Sequence, residues 1–267
     1  MGFLTKIQTL PIVQTLLLVG AQPNLLWRMM QVQTLPTFQP FVALMTGEVG
    51  LAVVEQMSNG LLETSSFAPV VAHLKHDANC AAMIAERYMT DPHDLEALLQ
   101  YPEDSLGYMY ARHMQARGFR AEALYEGLAI DSDASYIEAR LSHTHDIWHI
   151  VTGFGITDIE EIGLQAFHLP QFPYPLAISL ISSAMMAAMQ FRPTELPQLL
   201  ETIRQGWEMG RRAKPLFAQR WEEGWHKPLA QWRAELNIQP FALGTTGDII
   251  SQGMGTSATS KALANLP

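Results

Sequence analysis

Residues 132–161 read SDASYIEARLSHTHDIWHIVTGFGITDIEE, and this stretch decides the fold. Ser132 or Asp133 can cap a helix from about Ala134 to Thr152, with Ile137, Leu141, Trp148 and Val151 on its apolar face. Thr152-Gly153-Phe154-Gly155 then supplies two glycines for a tight reversal. Thr157-Asp158-Ile159-Glu160 follows, with Thr at the N-cap and Glu three residues later, a capping box that opens a second helix. The spacing predicts a helical hairpin.

Working outward, the helical pattern continues in both directions. Asp91-Pro92 reads as cap and first position of a segment in which Leu95, Leu98 and Leu99 recur at helical spacing. Pro102-Glu103-Asp104 opens another, where Leu106, Met109, Tyr110 and His113 or Met114 share a face before Gly118 ends it. Downstream, Pro193 and Pro197 set off a long helix through Trp207, and Lys214-Pro215 starts one expected to end before Asn237. The β-branched clusters around 49–54 and 70–71 lack hairpin signals. The expectation is an all-α, single-domain helical array over residues 1–242, followed by a loose Gly/Ser/Thr-rich tail over 243–267.

Composition narrows the function. Lys+Arg number 17 and Asp+Glu 26, a net charge of −9, which excludes a nucleic-acid partner because such binders need a basic surplus. Cys80 stands alone, so there is neither a disulfide framework nor a Cys-rich zinc site, and a reducing, cytoplasmic setting fits. Charged residues are only 16% of the chain, against about 25% in ordinary domains. A chain so poor in charge is expected to bury area in a homo-oligomer or to touch lipid. Thr9–Ala21 resembles a signal peptide only faintly, since Pro11 and Gln14 interrupt it; Phe3–Met30 is read as a mature, membrane-leaning segment.

The strongest chemical signal lies inside the hairpin. His145 and His149 are four residues apart and so sit one above the other on a helix face, a spacing that can grip one transition metal. Glu161 falls in the first turn of the second helix while His149 falls in the last turn of the first, so the reversal brings all three to one height. With Asp146 as fourth ligand or general base, the donor set suits Zn²⁺ and equally Mn²⁺ or Fe²⁺. Arg140 lies about 140° around the helix from His145 and is a candidate for a carboxylate or phosphate head group. Tyr110 is a second candidate for ligand contact.

From Ile162 to Phe191 there is no Asp, Glu, Lys or Arg, although Pro170, Pro173 and Pro175 break the run and leave Leu176–Phe191 too short for the roughly 20 residues of a membrane span. Leu176, Leu180, Ala184 and Ala187 form one stripe along it. Two uses compete for this stripe: a wall for a long isoprenoid chain, or packing on another helix or a second subunit.

At these residues the sequence resembles the Coq-four family of ubiquinone-biosynthesis proteins. His145-Asp146-x-x-His149, eleven residues, then Glu161 matches that family's H-D-x-x-H-x(11)-E signature. Leu106-Gly107-x-x-Tyr110, Arg140, Gly210-Arg211-Arg212-Ala213 and Gln219-Arg220-Trp221-Glu222 follow the family's other blocks in order. The resemblance covers residues 90–238 well and the first 90 loosely. It departs at Gly127-Leu128-Ala129-Ile130, where the family has a Pro-rich link, and after Asn237. The resemblance implies an all-α fold and a metal, usually zinc, on the four motif positions. It also implies peripheral membrane association and a place among other quinone-biosynthesis proteins that modify polyprenylated benzoquinone precursors. Two roles are implied by it, an oxidative decarboxylase acting at ring carbon one and a non-catalytic lipid-binding scaffold with a structural metal. An HD-type phosphohydrolase is a third reading, for which no further metal ligands can be placed.

Overall fold

A computed structural model of the chain describes residues 35–48, 50–120 and 127–241. The apolar segment Phe3–Met30 and the tail 243–267 lie outside the described residues. Among those described there are eleven α-helices and no strand beyond one isolated bridge between Ser105 and Pro228. In chain order they are α1 Phe38–Met45, α2 Leu51–Leu62, α3 Ala68–Leu74, α4 Ala78–Glu86, α5 Leu95–Leu98, α6 Leu106–Arg117, α7 Asp133–Thr152, α8 Asp158–Gln171, α9 Pro175–Phe191, α10 Leu196–Arg212 and α11 Leu229–Glu235.

The hairpin forms as the sequence dictates. Ser132 accepts from the Ser135 amide to cap α7, and Gly153 closes it in the left-handed region at φ 80°, which costs a glycine nothing. Thr157 accepts from the Glu160 amide to start α8. Fifteen of the twenty residues of α7 are buried, so it is the central helix rather than an amphipathic surface one. Its C-terminal carbonyls would be left without partners there. Arg233 of α11 donates to the carbonyls of Ile150 and Val151, and the Phe241 amide donates to that of Thr152. These contacts fix the turn that carries His149.

Behind α8 lies α10, drawn in to backbone contact. A Cβ on Gly206 would lie 2.1 Å from the Gly163 carbonyl oxygen, and one on Gly210 2.3 Å from that of Phe167. Only glycine fits at either position, so the Gly-x-x-x-Gly spacing on α10 is what sets the depth of α8, and with it Glu161. The core itself is one apolar cluster from Leu44 to Phe241, including Trp148, Trp221, Trp225 and Trp232. Trp207 stays exposed.

Three local expectations are corrected. The cap of α5 is Asp94, which accepts from the amides of Glu96 and Ala97, not Asp91. Pro170 is accommodated inside α8, which continues to Gln171. The stretch after Lys214 is not one helix: a 3₁₀ turn, Trp221–Gly224, precedes the short α11. Gly224 and Pro228 interrupt that stretch, and the Trp232 indole donates to the Gly224 carbonyl across the break.

Candidate metal centre

His145 and His149 project from the last two turns of α7 toward Glu161 in the first turn of α8. His145 Nε2 lies 3.1 Å from Glu161 Oε1, and His149 Nε2 lies 3.0 Å from Glu161 Oε2. The two rings stand 4.6 Å apart. Ligand atoms bound tetrahedrally at about 2.0–2.1 Å are about 3.3 Å from one another. Each histidine nitrogen therefore already stands near that separation from the Glu161 carboxylate, and the three ligand atoms lie within 4.8 Å of one another.

The tautomer is fixed as well. His149 Nδ1 is 3.0 Å from the Phe154 carbonyl oxygen, so Nδ1–H donates to it and Nε2 is the nitrogen left to bind a metal. His149 is buried, whereas His145 and Glu161 reach solvent with side chains 23% and 32% exposed. Glu161 also accepts from Gln165 one turn on, at 3.3 Å. Burial disfavours charge on either member of the pair. The Glu161 carboxylate, with Asp146 and Glu138 behind it, nevertheless pushes His145 up to about 9. The two imidazoles hold Glu161 well below the usual carboxylate range.

The other candidates are placed as follows. Asp146, one residue past His145, has its Oδ1 3.3 Å from Nε2 of the buried His113 on α6, and the charges of His145 and His149 also act on it. Arg140 is fully buried and forks onto the two carboxylate oxygens of Glu222, with a further bond to the Gln219 carbonyl. The carboxylate it meets is thus within the chain. Tyr110 is buried beside the rings of His93 and Trp225, 5.3 and 5.2 Å away. On α9, Leu176, Leu180 and Ala187 are buried and Ala184 half-buried, so the stripe faces the core against α1 and α8. The face that α9 exposes is the opposite one, with Ile178, Met185 and Met189.

Sequence reasoning missed a second cluster. Donor atoms of His93, His143 and Glu222 also lie within 4.8 Å of one another. His143 Nε2 is 3.4 Å from Glu222 Oε1, and the His93 ring lies 4.5 Å from the His143 ring, tilted 60° to it. Burial pushes His93 down to about 4, with His143 adding to the effect. It missed Glu138 too, which is enclosed with hydrogen bonds from Ser58 and, at 2.8 Å, from the Tyr174 hydroxyl. Glu138 lies seven residues, two turns, before His145 on the same face of α7. Its charge facing an apolar environment was the available signal.

The family profile described as coenzyme Q (ubiquinone) biosynthesis protein Coq4 matches residues 29–242. The chain belongs to the Coq4 family. Among its relatives, the Coq4 homologue of Aedes aegypti, named as mitochondrial, is 26% identical over 149 residues, 55% of this chain and 53% of its own. The mitochondrial Coq4 protein of Eremothecium gossypii is 30% identical over 149 residues, 55% of this chain and 45% of its own. The matched region therefore spans about half the length of these curated relatives. A crystal structure of a Nostoc punctiforme protein assigned to ubiquinone biosynthesis superposes with a TM-score of 0.69 at 29% identity, over 75% of this chain and 96% of that one. No described helix is long and apolar enough to cross a membrane.

Proposed function

We propose that this Coq4-family chain binds one divalent metal at His145, His149 and Glu161. There it acts on a polyprenylated benzoquinone precursor, replacing the ring carboxyl group with a hydroxyl. The observation that carries this reading is the convergence of three donors at metal-sharing distances on a partly exposed face. Three protein donors with an open side suit a site that takes a ligand, whereas structural zinc is closed by four.

When bound, the metal supplies Lewis acidity toward a ring carboxylate or hydroxyl. The residues of the chain do the rest. Phe154 orients His149, α10 holds α8 and Glu161 at fixed depth, and Asp146 supplies a carboxylate to accept a proton. The carboxyl group leaves as CO₂, its ring carbon takes a hydroxyl from water, and dioxygen as co-substrate accepts the two electrons and leaves as hydrogen peroxide. Zinc has no redox chemistry, so iron or manganese would suit oxidation at the site itself, and zinc would suit binding and polarisation. A prenyl tail or membrane surface would meet the exposed face of the uncharged α9, with Ile178, Met185 and Met189, because the stripe from Leu176 to Ala187 is taken up by the core.

Purified protein loaded separately with Zn²⁺, Mn²⁺ or Fe²⁺ should release CO₂ from a synthetic prenylated 4-hydroxybenzoate in air, and Glu161→Ala should not. Binding of that compound without turnover under any metal would instead assign the chain to lipid presentation.

A further inference from the structure

One turn beyond Glu161 on α8, Gln165 brings its side chain back to the candidate ligand. It is 3% exposed, and its Nε2 lies 3.3 Å from Glu161 Oε1. The two ends of an amide have nearly the same shape, but the partner tells them apart. A carboxylate between two imidazoles has no hydrogen to give, so the NH₂ end must face it. The other end is thereby fixed as Oε1, and that atom is buried with no hydrogen-bond partner among the described residues. Buried polar atoms are nearly always paired, because an acceptor taken out of water without a donor is costly. A methionine would fill the same space without that cost. The unpaired oxygen therefore calls for a donor brought from outside the chain.

Its place says which donor. The bonds of an amide put Oε1 about 2.2 Å from Nε2, and so within about 5.5 Å of Glu161 Oε1. That carboxylate oxygen faces His145, whose side chain is 23% exposed, whereas the other faces the buried His149. Gln165 thus lies beneath the edge by which a ligand reaches the centre. An amide oxygen accepts and cannot donate. A ring carboxylate, a methoxy group or a quinone carbonyl gives it nothing, and a phenolic hydroxyl gives it a hydrogen.

We propose that Gln165 is a substrate-binding residue whose side-chain oxygen accepts a hydrogen bond from a ring hydroxyl, so that the site selects the phenolic form of its aromatic ligand. This rests on the function proposed above and deepens it by naming the ring substituent that is read. An ordered water on Oε1 is the rival occupant. The two differ in consequence. A water is indifferent to the ring substituent, whereas a direct acceptor rejects a ring without the hydroxyl, because binding it seals the oxygen in unpaired.

Zinc-loaded protein tests this by affinity alone, since zinc has no redox chemistry and the ligand is not oxidised. Four prenylated benzoates are titrated, carrying hydroxyl, amino, methoxy or hydrogen at ring carbon four. The native chain should bind the hydroxyl compound at least about tenfold more tightly than the methoxy and hydrogen compounds, with the amino compound, a weaker donor, between them. Gln165→Met should still take up one zinc per chain and bind all four within about threefold of one another. A native chain that binds the methoxy compound as tightly as the hydroxyl compound, or a Gln165→Met that keeps the native preference, would overturn the role of Gln165 and leave the substrate reading standing. Failure of the zinc-loaded native chain to bind any of the four would overturn that reading with it. Should Gln165→Met not fold or not take up zinc, Gln165→Asn, whose amide is withdrawn by one carbon, decides by the same comparison: loss of the preference supports the role, and its retention overturns it.

Discussion

The same helix builds two clusters of identical composition, and they differ in what already neutralises them. His145 and His149 on α7 meet Glu161; His143 on α7 meets His93 and Glu222. Each set is two imidazoles and a carboxylate. In the second, Arg140 is already forked onto the carboxylate, buried with it, and the charge is balanced. Although burial opposes ionisation there, His143 and Arg140 hold Glu222 well below the usual carboxylate range. A divalent ion added beside a buried guanidinium would bring net positive charge into a low-dielectric interior. In the first cluster no Lys or Arg contacts Glu161 among the described residues, Asp146 adds a second negative charge nearby, and His145 and Glu161 reach solvent. Ligand chemistry is the same at both. On the proposed function, charge balance and access are what would make the first the metal site and leave the second a strut.

That contrast can be broken at either end. The largest effect is expected at the strut. Glu222→Ala should destabilise the fold by about 3–5 kcal/mol, because it strands a buried arginine, yet leave metal stoichiometry unchanged in whatever folds. Chemical denaturation with parallel metal analysis checks both. At the centre, His149→Ala or Glu161→Ala should weaken metal binding at least about a hundredfold, roughly 2.7 kcal/mol, and should also lower apo stability by removing a buried ring or the partner of His145, while His93→Ala should leave affinity as it is. Equal losses from His93→Ala and His149→Ala would erase the distinction. Gly206→Ala should cost about 1–3 kcal/mol by forcing α10 away from the Gly163 carbonyl, and should loosen metal binding only through displacement of Glu161.

The smallest predicted effect is graded with pH. His145 titrates near 9 in the apo fold against 6.5 when unfolded, so its ion pair with Glu161 stabilises the apo protein fully below about 6.5 and is lost as pH rises through about 9. Metal must displace that proton, so apparent affinity should rise by up to about tenfold per pH unit over the same window. Both effects have one sign. The rise in melting temperature on adding metal should grow from pH 6.5 to 9, and a gain that is flat or shrinks across that range would remove His145 from the ligand set.

What the sequence made legible follows from how local each feature is. The hairpin could be read because Ser132, Gly153 and Thr157 do their capping within one turn of themselves, and His145 and His149 need only helical periodicity to meet. Glu161 then follows from the length of the reversal. The motif offers Asp146 as fourth ligand or general base, and its buried partner His113, 33 residues away, is what no local pattern reports. Arg140 could be seen to flank the site, but its partner Glu222 is 82 residues away, and no local pattern reports it. The region after Lys214 misled because its tryptophans repeat at helical spacing, while Gly224 and Pro228 decide the backbone.

The position of a bound metal is the most direct test of the α7–α8 site. Crystals of the protein soaked in Mn²⁺ or Zn²⁺, with diffraction recorded across the metal's absorption edge, should give one anomalous peak per chain. It should lie between His145, His149 and Glu161, with nothing at His93, His143 and Glu222. A peak at the second cluster, or none at the first with the protein intact, would contradict it.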